Sequence, residues 1–125
     1  MQKLQFEASW DRTISNGDRE KIKKAFDETC LAENKEMITP LWQALNYKND
    51  LLITVLVHNF SNHPLFFLER KIAYVEDQKV MAEYLFTIPA LKVEPLTSMP
   101  WTFIFPAKNI SEQASYKQGF LVFNE

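Results

Sequence analysis

The stretch Leu51-Leu52-Ile53-Thr54-Val55-Leu56-Val57-His58 is an almost unbroken apolar run in which Ile53, Thr54, Val55 and Val57 are β-branched. β-Branched residues fit a pleated, buried surface better than a helix, so the run reads as a strand. It is far shorter than the roughly 20 residues a helix needs to cross a bilayer. Side chains alternate across a strand, which puts Ile53, Val55 and Val57 on one face and Leu52 and Leu56 on the other. Both faces are apolar, so both need cover, and the strand belongs in the middle of a sheet.

Working outward, Leu41 to Asn46 is a second extended run, joined to the first by the polar link Tyr47-Lys48-Asn49-Asp50 in the manner of a hairpin. On the other side the turn formers Asn59-Phe60-Ser61-Asn62-His63-Pro64 break the strand. Leu65 to Val75 and Val80 to Ile88 then form a second hairpin about Glu76-Asp77-Gln78-Lys79. Val80, Ala82, Tyr84, Phe86 and Ile88 share one face of its returning strand, opposite Glu83 and Thr87, as expected of a half-buried strand. The segment from Pro89 to Pro100 reads as a proline-punctuated loop. It leads to the strand Trp101-Thr102-Phe103-Ile104-Phe105, closed by Pro106, and Phe120 to Phe123 supplies the last strand.

Upstream, Leu4, Phe6, Ala8 and Trp10 recur at period two and predict a strand near residues 3 to 8. Ser15 or Asn16 is placed to cap a helix over about residues 16–30, whose stripe Ile22, Ala25, Phe26 and Thr29 lies opposite Lys21, Lys24 and Glu28. No alternation of strand with helix indicates a parallel sheet. The expectation is a mainly β (α+β) chain: a single domain over residues 1–125, built as an antiparallel immunoglobulin-like β-sandwich of about seven strands. One N-terminal amphipathic helix precedes a β-rich part at about 38–125.

Composition narrows the function. An apolar share of 46% and an aromatic share of 14% supply enough burial for one core in 125 residues and argue against disorder. With 14 Lys+Arg against 16 Asp+Glu, and the basic cluster Arg19 to Lys24 interrupted by Glu20, a nucleic-acid partner is not expected. The lone Cys30 has no partner for an internal disulfide and sits where a small apolar side chain packs at a helix end. The N-terminus has no charged segment followed by an apolar run of signal-peptide length, so a cytoplasmic protein is expected. His58 and His63 lack the further ligands of a metal site, and Gly17 and Gly119 are the only glycines, too few for a phosphate loop. The reading therefore assigns no catalytic residue, no metal and no cofactor. Trp101, Phe103 and Phe105 alternate strictly and are assigned to the core.

The block Met99-Pro100-Trp101-Thr102-Phe103-Ile104-Phe105-Pro106 resembles the most recognisable segment of the SLAP domain, a module of small proteins associated with S-layer assembly and accessory Sec secretion in Gram-positive bacilli. Trp10-Asp11 with Ile14-Ser15 and the charged helix resembles that family's opening. Ile53 to Val57 leading into Asn59 resembles its central strand and asparagine turn, and Val80-Met81-Ala82 leading to Phe86 resembles a later strand. The likeness covers about residues 4 to 123; the turn Glu76-Asp77-Gln78-Lys79 departs from it by lacking a glycine. The resemblance implies a non-catalytic accessory protein that assists export or assembly of S-layer proteins by binding protein partners, an S-layer precursor or an accessory secretion ATPase. It implies a cytoplasmic place, with membrane association only through partners. The alternative is a stand-alone β-sandwich binding module of the cell envelope with another client. Loops on a rigid sheet scaffold commonly carry binding, which singles out Phe60, His63, Met99 and the exposed face of Trp101 as contacts. A monomer or weak homodimer is expected, since charged residues such as Lys71 and Glu83 blunt edge pairing.

Overall fold

The doubly apolar run at residues 51–58 is the central strand its composition demands. In the computed structural model, which describes residues 2–29, 36–117 and 119–125, it forms β3 (Leu51–Asn59). β3 pairs antiparallel with β2 (Glu36–Leu45) on one side and with β6 (Thr97–Phe105) on the other. A two-residue strand, β1 (Lys3–Leu4), adds to the far side of β6, so the first sheet runs β1-β6-β3-β2. β4 (Leu65–Glu76) pairs with β5 (Lys79–Val93) and β7 (Phe120–Phe123) in a second sheet ordered β5-β4-β7. The chain is thus mainly β, with seven strands in two sheets among the described residues.

The core lies between the sheets. Ile53, Val55 and Val57 of β3 and Phe103 and Phe105 of β6 are fully buried, facing Phe67, Ile72 and Tyr74 of β4 and Leu91 and Val93 of β5. Phe86 meets both Phe103 and Phe105 edge-on, at ring-centroid distances of 5.1 and 5.2 Å. Burying a side chain of this size contributes about 1.5–3 kcal/mol, which makes the strictly alternating aromatic strand a main source of stability. Leu56, on the opposite face of β3, is also fully buried, because helices cover that face. Their cover is loose enough to leave a cleft walled by Trp10 and Asp18 on the helical side and by Trp42, Thr54 and Thr102 on the sheet.

The N-terminal region departs from expectation. After β1 the chain turns into α1 (Ala8–Thr13), because the Glu7 carboxylate accepts the backbone N–H groups of Ser9 and Trp10 and caps a helix there. The period-two spacing of Leu4 to Trp10 is therefore shared between a short strand and one helical turn. β1 also runs parallel to β6, through Lys3 opposite Thr97 and Leu4 opposite Ser98, so the strands are not all antiparallel. α2 (Asn16–Asp27) is the amphipathic helix, with Ser15 as its cap, accepting the Asp18 N–H, and Ile22 as its buried residue. It ends earlier than the expected residue 30; Cys30 itself lies outside the described residues.

The segment Pro89 to Pro100 is not a loop. β5 continues through Pro89 to Val93, and β6 begins at Thr97, leaving only residues 94–96 as the connection. Proline is tolerated where the ladder has no use for its missing N–H. Pro89 lies on the edge strand β5, in a bulge: Phe67 opposes Ile88 and Phe66 opposes Lys92. Pro40 lies on the edge strand β2 beside another register shift, and Pro100 lies beyond Ser98, where β1 stops pairing with β6.

Candidate functional site

The first candidate is the turn after β3, organised by Asn59. Its carboxamide is buried and donates to the carbonyls of His63 at 2.7 Å, Val93 at 3.0 Å and Glu94 at 3.2 Å. Its Oδ1 accepts from the Ser61 N–H and hydroxyl, at 3.0 and 2.7 Å. One side chain thereby fixes residues 60–64 and ties them to the β5–β6 connection, where Leu96 N–H also donates to the Ser61 carbonyl. This rigid turn displays His63, which is exposed, and Phe60, which is half-buried and stacks on His58 at 5.5 Å with an interplanar angle of 5°.

His58 is not displayed. It is fully buried, with Nδ1 2.6 Å from Ser98 Oγ and Nε2 2.8 Å from Thr39 Oγ1, and so bridges all three long strands of its sheet. Burial lowers its pKa to about 4, and the ring is neutral near pH 7. A neutral imidazole that donates at one nitrogen and accepts at the other satisfies both hydroxyls, which is a structural role.

The four residues singled out from sequence do not converge on one surface. Phe60 and His63 share the Asn59 turn; Met99 faces the core with 4% exposure. Trp101, half-buried, packs against the core and stacks on Trp10 of α1 at 6.4 Å. Trp101 belongs instead to a second candidate, an apolar groove of about 400 Å³ whose lining includes Trp10, Tyr84, Phe86, Ile88, Trp101 and Ile104. The groove follows from two strand edges. β6 loses its β1 neighbour after Ser98, and β5, paired with β4 on its inner side, has no strand on its outer side over Tyr84 to Ile88 among the described residues. Strand edges that no strand pairs among the described residues thus border a floor made of Phe86 and Phe103. An edge of this kind can accept an added strand, with side-chain pockets supplying selectivity. Sequence reading found Trp101 here but missed Trp10, Tyr84, Ile88 and Ile104. Tyr84 and Ile88 were legible as one face of β5; that this face borders a groove depends on how short β1 is.

Among the described residues no group of three or more His, Cys, Asp or Glu side chains is placed to hold a metal ion. No helix there is long and apolar enough to cross a membrane. The arrangement offers surfaces suited to polypeptide, a hydrogen-bonded turn and an apolar groove with open strand edges. In comparisons with known proteins, residues 4–124 match the family model described as SLAP domain, over nearly the whole chain. No curated protein and no solved structure matches it.

Proposed function

This chain belongs to the SLAP domain family, associated with accessory Sec secretion, and from that premise we propose a non-catalytic protein that assists export or assembly of S-layer proteins by binding them or their secretion ATPase. The observation that carries the reading is the apolar groove between the open edges of β5 and β6. Secretion substrates are handled as extended chains, and an extended chain satisfies its own backbone by pairing with such an edge. The Asn59 turn, with Phe60 and His63, is the second contact in this proposal. It acts from the cytoplasmic side, reaches the membrane through its partners, and works as a monomer or weak homodimer. We also propose an immunoglobulin-like sandwich: the order β2-β3-β6 against β5-β4-β7, with one hairpin within each sheet and the other connections among these strands crossing between sheets, supports it.

The test is crosslinked affinity purification of the tagged protein from its native cells while S-layer secretion is active, with quantitative mass spectrometry of cytosolic and membrane fractions. Enrichment of S-layer precursors or the accessory secretion ATPase is the expected result. A purification that contains neither would overturn the reading and turn the search toward an envelope client.

A further inference from the structure

The groove between β5 and β6 meets its two walls differently. β5 contributes alternate residues that share one face, Tyr84, Phe86 and Ile88, whereas β6 contributes Trp101, Thr102, Phe103 and Ile104 in succession. Consecutive strand residues point to opposite faces, so a surface that touches all four runs along the edge of β6. The backbone of that edge has a fixed phase. Lys3 N–H donates to the Leu96 carbonyl and Gln5 N–H to the Ser98 carbonyl, so residues 96 and 98 turn their peptide groups away from β3. β6 pairs with β3 without a register shift from Thr97 to Phe105, which carries the same orientation to residues 100, 102 and 104. Pro100 falls in that phase and Pro106 follows the strand directly; neither has an N–H to offer. The Pro106 carbonyl, moreover, accepts from Asn109 N–H at 2.9 Å. Between the two prolines, Thr102 and Ile104 turn N–H and C=O outward, where no strand pairs with them among the described residues.

The lining selects the occupant by charge. It holds no Asp, Glu, Lys, Arg or His, so a charged side chain entering the groove would lose hydration and gain no partner. A second copy of the chain fits poorly. The groove-side residues at its own strand edges, Phe86 and Phe103, are committed to its own core at 5% and 0% exposure and cannot fill the space. We infer that β6 receives, between Pro100 and Pro106, an extended segment of about five residues from a client polypeptide, uncharged and apolar at alternate positions. Resting on the binding role proposed above, this places the client on one strand and makes its length and side chains specific. The two directions of addition differ in which client residues donate. In the parallel sense, in which β1 already pairs with β6, the groove-facing residues point their N–H groups at β6; in the antiparallel sense the alternate residues do.

The experiment is titration of the isotope-labelled full chain, read by amide hydrogen exchange, with an acetylated and amidated heptapeptide that alternates threonine with valine. Binding should slow exchange of the Thr102 and Ile104 amides about tenfold or more and leave those of Leu85 and Thr87 on β5 unchanged. Glutamate in place of the central valine should weaken binding about tenfold or more. N-methylation of the central valine, or instead of a neighbouring threonine, should abolish binding in one case only, and which one reports the direction. Ile104→Pro removes a donor that β3 does not use, and should abolish binding while melting curves show a folded protein; if that variant fails to fold, the N-methylated peptides read the same pairing from the client side. Equal effects of the two N-methylations, affinity for the glutamate peptide equal within about twofold, or protection confined to β5 would overturn the inference. So would absence of binding, or protection of both amides by self-association without peptide, and enrichment of secretion partners from cells would then still leave the broader reading standing.

Discussion

Glu76 is the deepest carboxylate of the described residues, and replacing it with glutamine tests how the final segment is held. It lies at the end of β4 with 4% exposure. One oxygen accepts from the Ser115 N–H at 2.8 Å and the Ser115 hydroxyl at 3.1 Å. The other accepts from the Tyr116 N–H at 2.8 Å and the Tyr74 hydroxyl at 2.5 Å, while Tyr74 accepts in turn from Gln43 at 2.9 Å. Tyr116 stands at φ 64°, a left-handed conformation unfavourable for its type, which this clamp helps hold. A carboxamide keeps the shape but has only one carbonyl oxygen, so in either orientation its NH₂ confronts a backbone N–H. One buried unsatisfied donor costs about 1–3 kcal/mol, and the loss of charge assistance weakens the remaining bonds, giving about 2–4 kcal/mol for Glu76→Gln. At about 4 °C per kcal/mol for a domain of this size, the melting temperature should fall by about 8–16 °C. Burial by itself raises the Glu76 pKa, but the donors from Ser115, Tyr74 and Tyr116 outweigh it and the net direction is down from 4.5. Its contribution is therefore complete above pH about 4.5 and is lost as pH falls through the lower folded value. Urea denaturation of both proteins across pH 3 to 7 measures both effects. A loss under about 0.5 kcal/mol at pH 7, or an unchanged acid limb, would refute the clamp.

Three further outcomes follow from separate features. Because burial lowers the His58 pKa from 6.5 to about 4, the unfolded chain binds more protons between those values, and stability should decline by about 1.4 kcal/mol per pH unit as pH falls from 6.5 toward 4. His58→Gln should flatten that slope in denaturant titrations; an unchanged slope would place the sensitivity elsewhere. Gly119 packs so closely that an added Cβ clashes with the hydroxyl end of the fully buried Tyr74 side chain, so Gly119→Ala should cost about 3 kcal/mol in chemical denaturation, and a neutral result would show that ring to be displaceable. Asp77 and Gln78 make the β4–β5 turn at φ 48° and 66°, so Gln78→Gly should raise stability by about 0.5–1 kcal/mol, and a decrease would show that the glutamine side chain contributes there.

The β-rich fold was legible because its signals are local. The alternation in residues 51–58 and 101–105 and the turn formers at 47–50, 59–64 and 76–79 placed the middles of five long strands and their two hairpins, but β2 starts at Glu36 where Leu41 was expected, β5 runs on to Val93 past Ile88, and β6 starts at Thr97 ahead of Trp101. Three things were not legible, each for a physical reason. Glu7 is an uncommon helix cap, so Ala8 to Trp10 read as strand until the cap was seen. Pro89 and Pro100 read as loop markers because proline lacks a ladder donor, yet the first sits in an edge bulge and the second past the end of β1. Whether a proline breaks a strand depends on which side its neighbour lies, and that is a tertiary property. The candidate site was visible only in fragments. Trp101 stood out by residue type, but the groove and the cleft exist because α1 brings Trp10 against β6, which no spacing in the chain announces.

The most direct test of the groove as a partner surface is site-specific photo-crosslinking in native cells. A photoreactive residue replaces Ile104, 48% exposed in the groove lining, and in a parallel strain it replaces Phe120, 42% exposed on β7 away from the groove. Crosslinks from position 104 to an S-layer precursor or to the accessory secretion ATPase, absent from position 120, are the predicted result. Equal labelling from both positions, or no adduct from position 104 while secretion is active, would contradict the assignment of the β5–β6 groove as the surface through which this protein works.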